Sequence, residues 1–453
     1  MLSTSSSRAL GACLVAVVVA ASACTGGSWP GKSPIWLASD GVPIATQAPP
    51  PAQVPGAPAQ ATPPAVAQVA PAIGNTAGLG PPDWVRAGTL LTYYGAAASI
   101  AGSYYTYVED PAGDWKDPVT GKYYKRTNEG DDPADMPTAA GEAFTQTEVL
   151  AVEGTDVVIS TTLYSIDLLA RQFTLTPMGG SRQAGTVVDG AWVNPAALQQ
   201  VLATGYGDLL VLHGPYVLGD ATYDAISFIA KSEGAYQSST YELASGVLLS
   251  TNSSTKGEDS PVTAPNDNPQ GNNQLSLTKL AGVRQRALAG TGAPPPSWVA
   301  SGRQLSYVGS YTQVNPADPG SGPWVYPMRS TITFGEVGSS WAAFASRTVI
   351  DVSGYEQATD GAGVTGSTGL YWYDPATLAA MSPGDLIDED PITGARVTVE
   401  SVDPSGSGML VTITTAMNGV TVRAGYDRDG GALLTLELVQ AVTGGTVRLQ
   451  LEG

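Results

Sequence analysis

One stretch is written twice, and it constrains the fold more than any other feature. The first copy runs Trp84-Val85-x-x-Gly88-x-x-Leu91-x-Tyr93-x-Gly95, and the second runs Trp298-Val299-x-x-Gly302-x-x-Leu305-x-Tyr307-x-Gly309. Six residues recur at one spacing, and prolines precede each copy. This is the opening strand of a duplicated module. Three further correspondences follow in the same order. Trp192-Val193-Asn194-Pro195-Ala196-x-Leu198 matches Trp372-Tyr373-Asp374-Pro375-Ala376-x-Leu378, and Gly207-Asp208-Leu209-Leu210 matches Gly384-Asp385-Leu386-Ile387. Tyr241-Glu242-x-x-Ser245-Gly246-Val247-Leu248-Leu249 matches Tyr426-Asp427-x-x-Gly430-Gly431-Ala432-Leu433-Leu434. The expected modules span 81–289 and 294–453, with the turn-forming seam Gly290 to Pro296 between them.

Local chemistry assigns the repeated pieces. Asn194 and Asp374 stand where a helix N-cap belongs, because a short acceptor can bond the free amides of the first turn. Pro195 and Pro375 follow at the first helical position, where a missing N–H costs nothing. Each module therefore gains one short helix. Tyr-acid-x-x-small-Gly-x-Leu-Leu predicts strand, tight turn, strand, with Gly246 and either Gly430 or Gly431 at positive φ. Elsewhere β-branched alternation dominates, as in Val157–Leu163, Met409–Thr414 and Thr446–Leu451. The connections are short, which favours antiparallel order over crossover helices. The expected fold is mainly β: two homologous antiparallel curved sheets or half-barrels, each with one short helix on its concave face. The tryptophans that recur in both modules, Trp84, Trp192, Trp298 and Trp372, are assigned to structure as plugs of the sheets.

The first 80 residues differ in kind. Arg8 precedes an apolar run from Ala9 to Ala21, the length of a signal h-region and too short to span a bilayer. Ala21-Ser22-Ala23-Cys24 follows, and small residues before a cysteine resemble the lipobox of bacterial lipoproteins. The resemblance implies a signal peptide over 1–23, cleavage before Cys24 and a diacylglycerol on its sulfur. Ala21 departs from the leucine usual there, and ordinary signal-peptidase cleavage with secretion is the alternative. Cys13 lies in the removed segment, so the mature chain would keep Cys24 alone, which excludes an internal disulfide or a thiolate metal cluster. Residues 24–80 then form a tether rich in Pro and Ala, without hydrophobic period. At about 3.1 Å per residue its 55 or so residues reach roughly 170 Å when extended as polyproline II.

The chemistry-bearing residues exclude more than they select. Acids outnumber bases 40 to 21, and no basic stripe offers a phosphate backbone a seat, so nucleic acid is not an expected partner. His213 is the only histidine. Without a Gly-x-Ser-x-Gly elbow it is read as a half-buried strand residue before a turn, matched in module two by the acidic Asp388-Glu389-Asp390. Acids crowd the insertion 108–137, as Glu109, Asp110, Asp114, Asp117, Glu129, Asp131, Asp132 and Asp135, and could serve a carboxylate hydrolase. Their Pro- and Gly-rich setting is that of a solvated loop. Asp388–Asp390 and Asp427–Gly430 offer oxygen ligands that turn chemistry explains as well as calcium would. Gly26-x-x-x-x-Gly31-Lys32-Ser33 has phosphate-loop spacing but stands in the tether, away from any strand–helix junction. No cofactor, metal or catalytic residue is expected.

The most suggestive surface is aromatic. Tyr104, Tyr105, Tyr107, Trp115, Tyr123 and Tyr124 fall close together among acids and amides, a composition that suits sugars or peptides. The hairpins Tyr241–Leu249 and Tyr426–Leu434, in an exported lipoprotein setting, resemble those of the LolA and LolB type of lipoprotein carriers. That family sets an open β half-barrel over a helical lid, and the resemblance implies a held lipid or lipid-modified protein. One short helix per module is a departure from the family's lid. The expected function is thus an exported, membrane-anchored, non-catalytic β head that binds an apolar or amphipathic ligand or acts as an envelope scaffold. The alternative is an extracellular carbohydrate-binding or adhesive protein using the aromatic insertion.

Overall fold

The computed structural model describes residues 78–99, 105–108, 115–116, 123–126, 138–166, 172–205, 209–232, 235–255, 274–286, 288–314, 322–352, 354–406, 408–441 and 444–452. The fold is mostly β. In chain order the first half gives β1 (Thr89–Ser99), β2 (Tyr105–Val108), β3 (Trp115–Lys116), β4 (Tyr123–Arg126), β5 (Thr138–Glu153), β6 (Asp156–Ile166) and β7 (Phe173–Ala184). Short β8 (Val187–Val188) and β9 (Trp192–Val193) lead into helix α1 (Pro195–Thr204), followed by β10 (Leu210–Leu218), β11 (Ala221–Ser232), β12 (Ala235–Glu242), β13 (Leu248–Thr255) and β14 (Gln274–Gln285). The second half gives β15 (Gln304–Gln313), β16 (Trp324–Val337), β17 (Trp341–Val352), β18 (Tyr355–Gly366) and helix α2 (Pro375–Ala380). It ends with β19 (Leu386–Glu389), β20 (Arg396–Ser405), β21 (Gly408–Met417), β22 (Val420–Asp427), β23 (Leu433–Gln440) and β24 (Gly445–Leu451).

Two large antiparallel sheets result, and neither closes. Sheet 1 is ordered β10-β11-β12-β13-β14-β1-β5-β6-β7. Sheet 2 is ordered β19-β20-β21-β22-β23-β24-β15-β16-β17-β18. Apart from β19 the two orders are the same, strand for strand. The twice-written stretch opens the central strand of each: β1 lies between β14 and β5, and β15 between β24 and β16.

The repeated residues do the same work in both sheets. Gly88 and Gly302 turn the chain at φ of 81° and 78°, and their amides donate to Val149 and Phe334 on the neighbouring strand. The indoles of Trp84 and Trp298 donate to the carbonyls of Ser245 and Gly430, 2.8 and 2.6 Å away. The hydroxyls of Tyr93 and Tyr307 each donate over 3.2 Å to a backbone carbonyl on the helix side, Ala191 of the arm before Trp192 in one sheet and Leu433 at the start of β23, the residue whose N–H bonds the arm at Tyr371, in the other. The arm follows the same path in both halves. That arm carries Trp192 or Trp372, both fully buried, and is pinned by Val193 N–H to Gly246 and by Tyr373 N–H to Gly431, each 2.9 Å. The helix follows at once. The Asn194 side-chain oxygen Oδ1 caps Ala196 N–H, the Asp374 carboxylate caps Thr377 N–H, and both prolines sit in the first turn. Leu198 and Val201 bury against Ile226, Phe228 and Tyr241, and Leu378 buries among Val399, Val411, Ile413 and Tyr426.

Of the two glycines considered in the second hairpin, Gly431 takes the positive φ, 75°, as Gly246 does at 76°. A Cβ at Gly246 would stand 1.7 Å from the Val193 carbonyl oxygen, and at Gly431 2.1 Å from that of Tyr373. These turns press directly on the arm that carries the buried tryptophan. Gly246→Ala or Gly431→Ala should therefore cost on the order of 3 kcal/mol, against about 1 kcal/mol at Gly394, where φ is also positive but space is open. Thermal melting of the three variants checks the ranking.

Candidate functional site

The space between sheet and helix is the place a lipid-carrier likeness would use. In this protein its own side chains occupy it. In module one Trp192, Leu91, Tyr93 and Val247 form one buried cluster, and Leu198, Phe228 and Tyr241 belong to a second one under the helix. In module two Trp372, Tyr371, Tyr373, Leu378, Phe334 and Tyr307 belong to a single core. Burial pushes the Tyr373 phenol up to about 12.

The polar machinery lies at the junction of the two sheets. The face of sheet 1 turned away from α1 carries Thr92 and, opposite it on β5, Gln146; Glu148 on β5 and Arg284 on β14 both pair with Leu90. Arg284 holds Asp388 of β19 in a two-pronged ion pair, Nη1 to Oδ1 at 2.7 Å and Nη2 to Oδ2 at 2.8 Å. Arg286 donates from Nε to the same Asp388 Oδ2 at 3.0 Å and from Nη1 to Glu148 at 2.7 Å. All four side chains are largely buried. Gln146 bridges Thr92 and Asp390, and Asp390 also accepts from Ile392 N–H and Thr393 Oγ1. Burial alone would push the Asp388 carboxyl up. The hydrogen bond from Arg284 and the charges of Arg286 and Arg284 outweigh it and hold the group below the usual aspartate value.

A second carboxylate ties the opposite margin of sheet 2. Glu153, at the end of β5, accepts from Trp341 Nε1 at 2.9 Å and from the amide and hydroxyl of Ser339 at 3.1 and 3.0 Å. The Trp341 indole, with Ser339, holds the Glu153 carboxyl below the usual glutamate value. Apolar contact surrounds this tie, with Leu150, Ala151 and Val158 of sheet 1 against Trp341, Ala343 and Val364 of sheet 2. The backbone also crosses, from Phe173 N–H to the Asn418 carbonyl at 2.8 Å. The outer face of sheet 1 thus meets sheet 2 at β18 on one margin and at β19 and the β21–β22 turn towards the other.

Several sequence expectations land elsewhere. Asp388 and Asp390 do not match His213. Strand order equates β10 with β20, and Asp388 lies on β19, the strand without a counterpart in sheet 1, with Asp390 just after it. His213 is exposed rather than half-buried, its Nε2 2.7 Å from Asp224 Oδ1 across the β10–β11 hairpin. Asp388 is committed to guanidinium groups. Asp427 accepts from Gly430 N–H at 2.8 Å, the turn role its sequence suggested. Among the described residues no three His, Cys, Asp or Glu side chains converge as a metal site. Cys24 and Tyr104 lie outside the described residues, as do Glu109, Asp110, Asp114, Asp117, Glu129, Asp131, Asp132 and Asp135. The rest of the aromatic insertion forms a separate three-stranded sheet, β2-β4-β3. Its register sets Tyr107, Tyr124 and Trp115 abreast, with Tyr105 opposite Arg126 and Tyr123 opposite Val108 and Lys116. Of the junction residues the sequence reading picks out only Asp388 and Asp390, as turn or calcium acids; Gln146, Glu148, Arg284 and Arg286 escape it. The one signal of the last two is Arg284-Gln285-Arg286, two cations at alternate positions where β14 ends, in a chain poor in bases.

No protein-family model matches the chain, and no curated protein matches it. Among solved structures, MucB in complex with MucA(peri) is 11% identical, covering 80% of this chain and 89% of that chain at a TM-score of 0.19. A score that low carries neither fold nor partner across. No helix among the described residues is long and apolar enough to cross a membrane.

Asp388→Ala would leave two largely buried guanidinium groups without their shared partner and should cost about 3 kcal/mol. Because the folded carboxyl titrates below its unfolded value, the stabilisation is full above the unfolded pKa and is lost as pH falls through the folded one. Melting temperatures of the parent and Asp388→Asn should differ at neutral pH and converge in acid.

Proposed function

We propose that this protein is an exported lipoprotein, anchored through Cys24 and a Pro/Ala-rich tether over residues 24–80, whose duplicated β head is a non-catalytic scaffold of the cell envelope. The signal peptide would be residues 1–23, and the modules 81–289 and 294–453 would descend from one ancestral unit. Their common strand order and the paired roles of Trp84 and Trp298, Tyr93 and Tyr307, and Gly246 and Gly431 support that descent.

One observation favours a scaffold over a carrier of apolar ligands: the helix side of each sheet is filled by buried tryptophan and leucine, and the outer face of sheet 1 is spent on holding sheet 2. A carrier needs an apolar space that opens; a scaffold needs a body that does not. The second reading, a carbohydrate-binding or adhesive head, is favoured by the insertion, where Tyr107, Tyr124 and Trp115 stand abreast.

The anchor is tested by the mass of the full chain purified from membranes of a lipoprotein-making bacterium, beside Cys24→Ala. The expected result is a diacylglycerol-sized increment that the variant loses together with membrane association. An unmodified parent chain in the medium would overturn the lipoprotein reading. An environment-sensitive apolar dye should show no saturable shift with the folded head; a saturable shift would restore the carrier.

A further inference from the structure

Sheet 1 lacks one strand that sheet 2 has. Counted from the hairpins, where Leu218 pairs with Ala221 and Ser405 with Gly408, Ile226 and Ile413 take the same place on the returning strand. They pair with His213 and Val399, so His213 on β10 stands where Val399 stands on β20. In sheet 2 that position is covered. β19 pairs along Arg396 to Thr398, the Gly384 amide donates to the Val399 carbonyl at 2.8 Å, and the Val399 amide donates to the Asp385 carbonyl at 2.9 Å. Val399 is 1% exposed. In sheet 1 β10 ends the strand order, and among the described residues no backbone group pairs with the outer side of Val211 or His213. The His213 side chain is 47% exposed and Leu210 46% exposed. A strand edge of this kind is a template for one more strand. Pro215 has no N–H to offer, so the stretch that a strand can follow is Leu209 to Gly214.

The chain itself arrives beside this edge. Leu79 packs against the same cluster as Leu209 and Val211, around Leu198, Ile226 and Phe228. The carbonyls of Leu79 and Gly80 are held by Thr186 Oγ1 and Asn194 Nδ2 at the start of α1. Upstream, prolines recur every few residues from Pro49 to Pro71, and the longest run between them is Ala65-Val66-Ala67-Gln68-Val69-Ala70, without proline or charge. Only a run free of proline can give every N–H that a ladder asks for. The link of residues 71–77 reaches about 23 Å when extended. That exceeds the length of α1, about 15 Å for its ten residues, which separates the start of the helix from the start of β10.

We propose that Ala65–Ala70 adds to β10 as the outermost strand of sheet 1, in the place that β19 takes in sheet 2. Main-chain bonds to Val211 and His213 hold it. The head then includes part of the Pro/Ala-rich region, and the free link back to Cys24 shortens to residues 24–64, roughly 130 Å at about 3.1 Å per residue. The pairing needs no lipid on Cys24, so its test is independent of the lipoprotein reading.

Hydrogen–deuterium exchange of the full chain, read residue by residue, tests it. The expected result is that the amides of Val211 and His213, with alternate amides of 65–70, exchange at least about tenfold more slowly than in an unstructured chain. Ala67→Pro combined with Gln68→Pro removes a ladder N–H whichever way the added strand faces. It should release both sets of amides together and leave those of β11 to β13 as slow as in the parent. Rapid exchange in the parent, over 65–70 or at Val211 and His213, overturns the proposal. So does protection of Val211 and His213 that survives the two prolines: if it rises with protein concentration, a second copy covers the edge, and if it does not, another segment of the chain does.

Discussion

The arrangement of the head depends on one carboxylate held by two guanidinium groups. Asp388 accepts three N–H bonds from Arg284 and Arg286, and Glu148 takes a further bond from Arg286. Charges this far from solvent are tolerable only when they are paired and hydrogen-bonded. The pair therefore acts less as added stability than as a condition on geometry: any other docking of the two sheets would leave buried ions uncompensated. Glu153, whose Oε1 accepts from Trp341 and Ser339 near the opposite margin, adds a second polar tie between the sheets.

The comparison of the two sheets explains where that lock comes from. Both are built by one device, in which a glycine-turned opening strand, a pinned tryptophan arm and a proline-capped helix close the concave side. What sheet 2 adds is β19, a four-residue edge strand, and it is β19 that supplies Asp388. The incoming chain is treated alike in both halves as well. Thr186 Oγ1 donates to the Leu79 carbonyl, and Ser367 Oγ donates to the Gly290 carbonyl, so the residues that lead into each repeated stretch are fastened beside the helix N-cap.

Much of the fold was legible because it is written in local rules. Asn194-Pro195 and Asp374-Pro375 announce a helix start wherever they occur, and the Gly246 and Gly431 turns need only backbone sterics to be recognised. The junction was not legible, because Arg284 and Asp388 stand 104 residues apart and nothing in either neighbourhood names the other. The order of motifs misaligned His213 with Asp388 for the same reason: an inserted edge strand shifts the correspondence without changing local pattern.

The central claim is that two alike sheets are locked by buried ion pairs into one cooperative body. Differential scanning calorimetry of the full chain at neutral pH tests it most directly. The account predicts a single transition whose calorimetric and van't Hoff enthalpies agree, the mark of one cooperative unit. Two separable transitions, one for each sheet, would contradict it.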